Sequence, residues 1–141
     1  TEIGFYLGEM MGRTLLNSSR FSSIDALVPL PLYADKEHKR GYNQAAIICN
    51  GISAVMNVPV LNGTVIRQQA TETQTRKHRT ERWENVKQSF KVAKGHELAG
   101  KHLLLVDDVV TTGATLEACG HVILGIERVK LSIATLAYAA K

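Results

Sequence analysis

The chain has 141 residues, 45% of them hydrophobic and 21% charged, with a formal net charge of +4. That length suits one domain spanning residues 1–141, large enough to bury a core without disulfide or metal staples, and the apolar content excludes wholesale disorder. The small positive balance points to anionic partners but is too slight to define a nucleic-acid binder, and no apolar run approaches the roughly 18 residues of a membrane-spanning helix.

The spacing of Phe5, Leu7, Met10, Met11, Leu15 and Leu16 near three and four predicts an amphipathic helix that ends around residues 17–19. Ala26 to Leu30 is a short apolar run stopped by Pro29 and Pro31, which fits a buried strand opening into a loop. Residues 33–41 are charged and turn-like. Asn43 is then placed to cap a helix running through Ala45, Ile48, Ile52 and Val55, which Asn50-Gly51 is expected to interrupt or end early.

Residues 58–61 and 64–66 are short β-prone pieces separated by the turn pair Asn62-Gly63. Apolar content then collapses over residues 67–88, where only Ala70, Trp83 and Val86 are apolar. Nine basic residues face four acidic ones between Arg67 and Lys101, a local excess of 9 − 4 = +5 that accounts for the positive charge of the whole chain. A long polar segment inside a compact domain is usually functional or disordered. Residues 102–110 carry the strongest strand signal, with the continuous apolar character of a strand buried on both faces of a parallel sheet. A helix over 114–124 stopped by Gly125, and a strand over 129–137, complete a βαβ unit.

The chemistry concentrates in residues 103–115, LLLVDDVVTTGAT. The buried strand delivers Asp107 and Asp108 to the carboxyl edge of the sheet, where open α/β folds place their ligands. The following turn, Thr111, Thr112, Gly113, Ala114 and Thr115, supplies successive backbone N–H groups and hydroxyls at a helix start, which makes an anion site. Two carboxylates beside a phosphate cradle suit a ribose 5-phosphate. An ordinary strand-to-helix connection needs neither both carboxylates nor a hydroxyl-rich glycine turn.

This segment closely resembles the phosphoribosyl pyrophosphate (PRPP) motif of type I phosphoribosyltransferases, with every motif position filled. The resemblance implies an α/β fold of that type, a central, mostly parallel sheet flanked by helices with a flexible hood. It further implies that Asp107 and Asp108 hold the ribose hydroxyls and that Thr111, Thr112, Gly113, Ala114 and Thr115 hold the 5-phosphate. Further stretches narrow the family. Val28-Pro29-Leu30-Pro31, then Lys39-Arg40-Gly41-Tyr42-Asn43-Gln44, Gln74-Thr75 and Arg82-Trp83-Glu84-Asn85-Val86 to Phe90 resemble the competence protein F (ComF) family. Members of that family carry an N-terminal cysteine-rich zinc module. Only Cys49 and Cys119 occur here, with no Cys-x-x-Cys, so that module is expected to be absent, either trimmed away or never present in a short member. Two such cysteines suit a reducing compartment, and with no signal-peptide pattern after Thr1 a cytoplasmic location is expected.

By the same resemblance, the loop after the first core strand contacts pyrophosphate, which nominates Arg40 and the amide of Gly41. The hood corresponds to residues 67–88, where Arg76, Lys77, Arg79 and Arg82 are placed to neutralise pyrophosphate. Arginine forks match phosphate oxygens two at a time. A solvated charged face is the competing reading for that segment. Trp83 and Tyr42 suit either base stacking or anchoring to the core, and anchoring is the commoner role of such residues. The five histidines show no metal-ligand spacing. The implied activity is transfer of ribose 5-phosphate from PRPP to an unidentified nitrogen nucleophile with loss of pyrophosphate. It would be assisted by Mg2+ bound at Asp107 and Asp108, directly or through water. The alternative is a PRPP- or nucleotide-binding accessory role in DNA uptake, with single-stranded DNA or a helicase-like competence protein as partner. Membrane insertion is not expected, and a homodimer is left open.

Overall fold

Residues 102–110 form the strand around which the molecule is organised. In the computed structural model, residues 2–32, 42–68, 89–110 and 112–139 are described. Helix α1 (Glu2–Leu16) leads through a short 3-10 turn to strand β1 (Ala26–Pro29), followed by helix α2 (Gln44–Met56) and strands β2 (Val65–Arg67) and β3 (Phe90–Val92). Strand β4 (His102–Val110), helix α3 (Ala114–Ile123) and strand β5 (Lys130–Tyr138) complete the order. β1, β4 and β5 make a parallel sheet with β4 at its centre, and Val60 adds a single parallel bridge to Leu27 on the outer side of β1.

Side chains alternate across a strand, so the LLLV run of β4 faces both layers. Leu103 and Leu105 pack with Ala26, Val28, Leu116, Cys119 and Ile123 on the α3 side. Leu104 and Val106 pack with Leu27, Ile48, Ile52 and Leu15 on the side of α1 and α2. All four β4 residues are fully buried, each contributing roughly 1.5–3 kcal/mol of apolar transfer. The β4–α3–β5 unit is the βαβ crossover expected from the sequence.

Helix α2 departs from expectation. Asn50-Gly51 neither breaks nor shortens it. The helix runs on to Met56, capped by Asn57 in the left-handed conformation. Gly51 is buried because α1 crosses α2 backbone to backbone: a methyl group at Gly51 would collide with the carbonyl oxygen of Phe5, and one at Gly8 with that of Ile48. Glycine here is chosen for tertiary closeness, which no local pattern reports. The amino end of α2 agrees with the sequence, since the Asn43 side chain accepts from Ala46 N–H at 3.2 Å.

β2 and β3 form a separate antiparallel pair in which Val65 faces Val92 and Arg67 faces Phe90. Val65 and Phe90 are buried in the α3-side core. Beyond the pair, Gln68 N–H donates to Ser89 C=O at 2.6 Å. Strand β3 has no counterpart in the elements expected from sequence, and Arg67, grouped there with the polar segment, is the last residue of a strand.

Candidate functional site

At the carboxyl edge of the sheet lies a cavity of about 230 Å3, walled by Asp107, Asp108, Val109 and Val110 of β4, by Thr112, Gly113, Thr115 and Leu116 at the start of α3, and by Leu30, Leu32 and Arg67. A larger one, about 390 Å3, is lined by residues including Val92, His96, Val122 and Glu127 at the far end of α3 and brings no such cluster of charge together.

Asp107 is half-buried where the strand leaves the core. Its Oδ1 accepts from Asp108 N–H at 2.8 Å, and Asp108 Oδ1 accepts from Val109 N–H at 2.8 Å. Burial pushes the Asp107 carboxyl up to about 6; the Asp108 carboxyl adds to the rise, while the Asp108 N–H and the Arg67 charge oppose it. The site therefore holds a carboxylate whose charge is costly without a ligand or cation.

The turn into α3 is built for close approach. Gly113 is its N-cap at φ 81, a left-handed conformation that favours glycine, and offers no capping side chain. Thr112 Oγ1 accepts from Ala114 N–H at 3.2 Å, and Gly113 C=O accepts the first helical bond from Glu117 N–H at 2.8 Å. The amino end of a ten-residue helix thus opens beside the two carboxylates, with its partial positive charge directed at the cavity.

Asp107, Asp108, Thr112, Gly113 and Thr115 are brought together around this cavity. Ala114 does not line it but shares the turn through its N–H. Thr111, Arg40, Gly41, Arg76, Lys77, Arg79, Arg82 and Trp83 lie outside the described residues. Tyr42 lines a different hollow, with Ile3, Leu7, Ile47 and Leu136, on the α1 side of β5.

Arg67 is the cavity residue that the sequence reading passed over. Its guanidinium lies 5.1 Å from the centroid of the Phe90 ring, and it lines a neighbouring cavity of about 290 Å3 with Pro29, Pro31 and Asn43 as well. The strand alternation that puts Val65 inward also puts Arg67 inward, two residues on, and that period was the available signal. Asn43 adds a tie of its own: besides capping α2, its Nδ2 donates to Leu30 C=O at 3.2 Å. Both flanks of residues 33–41 are thereby held at the cavity wall, as the Gln68–Ser89 bond holds the flanks of residues 69–88.

Beneath the site, Cys119 is buried and its thiol is pushed up to about 12 by burial, with Arg67 working against the rise and Asp107 adding to it. Cys49 is likewise buried and pushed up to about 12 by burial. Neither is a candidate nucleophile.

Comparison with known proteins defines the family and the fold. The phosphoribosyl transferase domain family matches residues 39–141. The chain is 36% identical over 110 residues to competence protein F of Haemophilus influenzae, covering 76% of this chain and 48% of that protein. It is 29% identical over 127 residues to the DNA utilization protein YhgH of Escherichia coli, covering 88% and 55%, and 30% identical over 112 residues to competence protein ComFC of Bacillus subtilis, covering 76% and 43%. The chain spans about half the length of these curated relatives. Among solved structures, glutamine PRPP amidotransferase from B. subtilis superposes with a TM-score of 0.65 at 13% identity, covering 94% of this chain and 26% of that one. A hypoxanthine phosphoribosyltransferase from Staphylococcus aureus gives 0.53 at 14%, covering 100% and 68%. The fold is that of the type I phosphoribosyltransferases, an α/β sheet flanked by helices. The chain belongs to the phosphoribosyl transferase domain family and, within it, to the ComF family.

Proposed function

We propose that the protein binds PRPP at the carboxyl end of β4 and transfers its ribose 5-phosphate to a nitrogen nucleophile. The observation that carries this reading is the single cavity in which Asp107 and Asp108 meet the glycine turn and amino end of α3. Asp107 and Asp108 hold the 2- and 3-hydroxyls of the ribose, and the Thr111–Thr115 turn holds the 5-phosphate. In the reaction the bond from the anomeric carbon to pyrophosphate breaks, the bond from that carbon to nitrogen forms, and the nucleophile gives up its proton. The transition state is rich in positive charge at the sugar and negative charge on the leaving group, so positioning and charge stabilisation suffice without a covalent enzyme intermediate. Arg67 stands at the cavity for the leaving pyrophosphate, with Arg40, the amide of Gly41, Arg76, Lys77, Arg79 and Arg82 as further contributors.

Mg2+ fits the donor set. Asp107 and Asp108 are adjacent hard oxygen ligands that would hold such a cation, with donor oxygens and water completing its shell. When bound it neutralises the departing pyrophosphate.

The names of the relatives, competence protein F and a DNA utilization protein, favour a second reading, in which the same PRPP site serves an accessory protein of DNA uptake in the cytoplasm without catalysis. There the +5 segment is the contact for single-stranded DNA, or the protein engages a helicase-like competence partner. Incubation with PRPP, Mg2+ and a panel of bases and amines separates the two. Pyrophosphate release with any acceptor supports transfer. Measurable PRPP binding with no release from the whole panel supports the accessory role.

A further inference from the structure

We infer that the outer edge of β5 pairs with the β5 of a second copy of this chain, antiparallel about Ala134, joining two sheets into one. β5 closes the parallel sheet on one side, bonded to β4 along its length from Lys130 to Tyr138 and to no other strand among the described residues. A strand paired on one side leaves alternate N–H and C=O groups open on the other, and proteins normally blunt such edges with proline, bulges, inward charges or brevity. β5 has none of these: it is nine residues long, reads KLSIATLAY, and carries one charge, at its first position. Its apolar side chains stay open, with Ile133 48% and Tyr138 71% exposed.

The strand is complementary to itself. Antiparallel pairing centred on Ala134 sets Ile133 opposite Thr135, Ser132 opposite Leu136 and Lys130 opposite Tyr138, so no like charges meet. The two Ile133 side chains become diagonal neighbours on the α3 face. On the other face, Leu136 shares a hollow with Ile3 and Leu7 of α1, and Ile3 is 75% exposed. The charged residues near this edge, Lys101, Glu127, Arg128 and Lys130, sit at one end of the strand. A two-fold axis sends the two groups to opposite ends, whereas parallel pairing would superpose them.

Sedimentation velocity and disulfide trapping test this on the whole chain. The wild type is expected to sediment as a dimer and Ile133→Lys as a folded monomer, its fold checked by circular dichroism. In the proposed register Ala134 meets its own copy at the Cα separation a disulfide tolerates, about 4.5–5.5 Å, whereas the two Lys130 residues are about 26 Å apart. Ala134→Cys is therefore expected to trap a covalent dimer on oxidation and Lys130→Cys is not, with the buried Cys49 and Cys119 taking no part. A monomeric wild type, a dimer that survives Ile133→Lys, or trapping through position 130 instead of 134 each overturns the inference.

Discussion

Arg67 and Asp107 face one cavity from two different sheets, the first at the end of β2 and the second at the exit of β4, and the guanidinium charge lowers the cost of an ionised Asp107 in a half-buried place. The two side chains are brought together only by tertiary packing. Their pairing gives the site a fixed cation and a reluctant anion before any ligand arrives.

Removing that cation weakens anion binding. A hydrogen bond to a charged group is worth about 1.5–3 kcal/mol, so Arg67→Met is expected to raise the PRPP dissociation constant roughly 10- to 100-fold. Arg67→Lys recovers only part of the loss, because the fork geometry is gone. Calorimetric titration of both variants with PRPP and Mg2+ measures this.

Asp107 costs the ligand-free protein stability. Its folded value of about 6 lies above the ordinary 3.8, so the folded state holds the proton more tightly and loses stability as pH rises through that window. Asp107→Asn keeps an oxygen to accept from Asp108 N–H. Thermal melts are expected to show the variant more stable than wild type at about pH 7.5, with the gain vanishing below about pH 4, and PRPP binding weakened.

His102 sets the opposite slope at the other edge of the sheet. Its ring is bonded to Ser23 Oγ at 2.9 Å and Ser132 Oγ at 2.7 Å, and the backbone N–H of His102 donates to Asp25 Oδ2 at 2.8 Å. Burial and the charge of Lys130 lower its value below 6.5, against the opposing pull of Asp25 and the Ser23 bond. The unfolded chain then takes up a proton that the folded one resists, so this contribution is present above pH 6.5 and lost as pH falls through it. Melting temperatures across that range are expected to fall more steeply for wild type than for His102→Asn.

The α1–α2 crossing admits no side chain. Gly51→Ala is expected to destabilise the protein by about 2–3 kcal/mol, lowering the melting temperature by several degrees. Urea unfolding at neutral pH checks it, and Asn50→Ala on the exposed face serves as the neutral control.

How much of this was legible beforehand differs by element. β4 announced itself because burial on both faces demands an unbroken apolar run, and Asp107 through Thr115 because a strand, two carboxylates and a glycine turn are contiguous in the chain. Asn43 was legible as a cap because capping is local. Gly51 misled, since a glycine selected by a neighbouring helix looks identical to one that ends its own. β3 is three residues long, too short for a period to show. Arg67 was hidden for a related reason: its strand is equally short, its partner Phe90 lies across the 69–88 segment, and its charge resembled the polar residues that follow.

The central claim is that the carboxylates of Asp107 and Asp108 hold a phosphoribosyl donor, and calorimetric titration with PRPP in the presence of Mg2+ tests it most directly. Saturable binding by the wild type, weakened at least about 100-fold in folded Asp107→Asn/Asp108→Asn, a loss of roughly 3 kcal/mol, is the expected result. Absence of PRPP binding by the wild type, or equal affinity in the double variant, would contradict it.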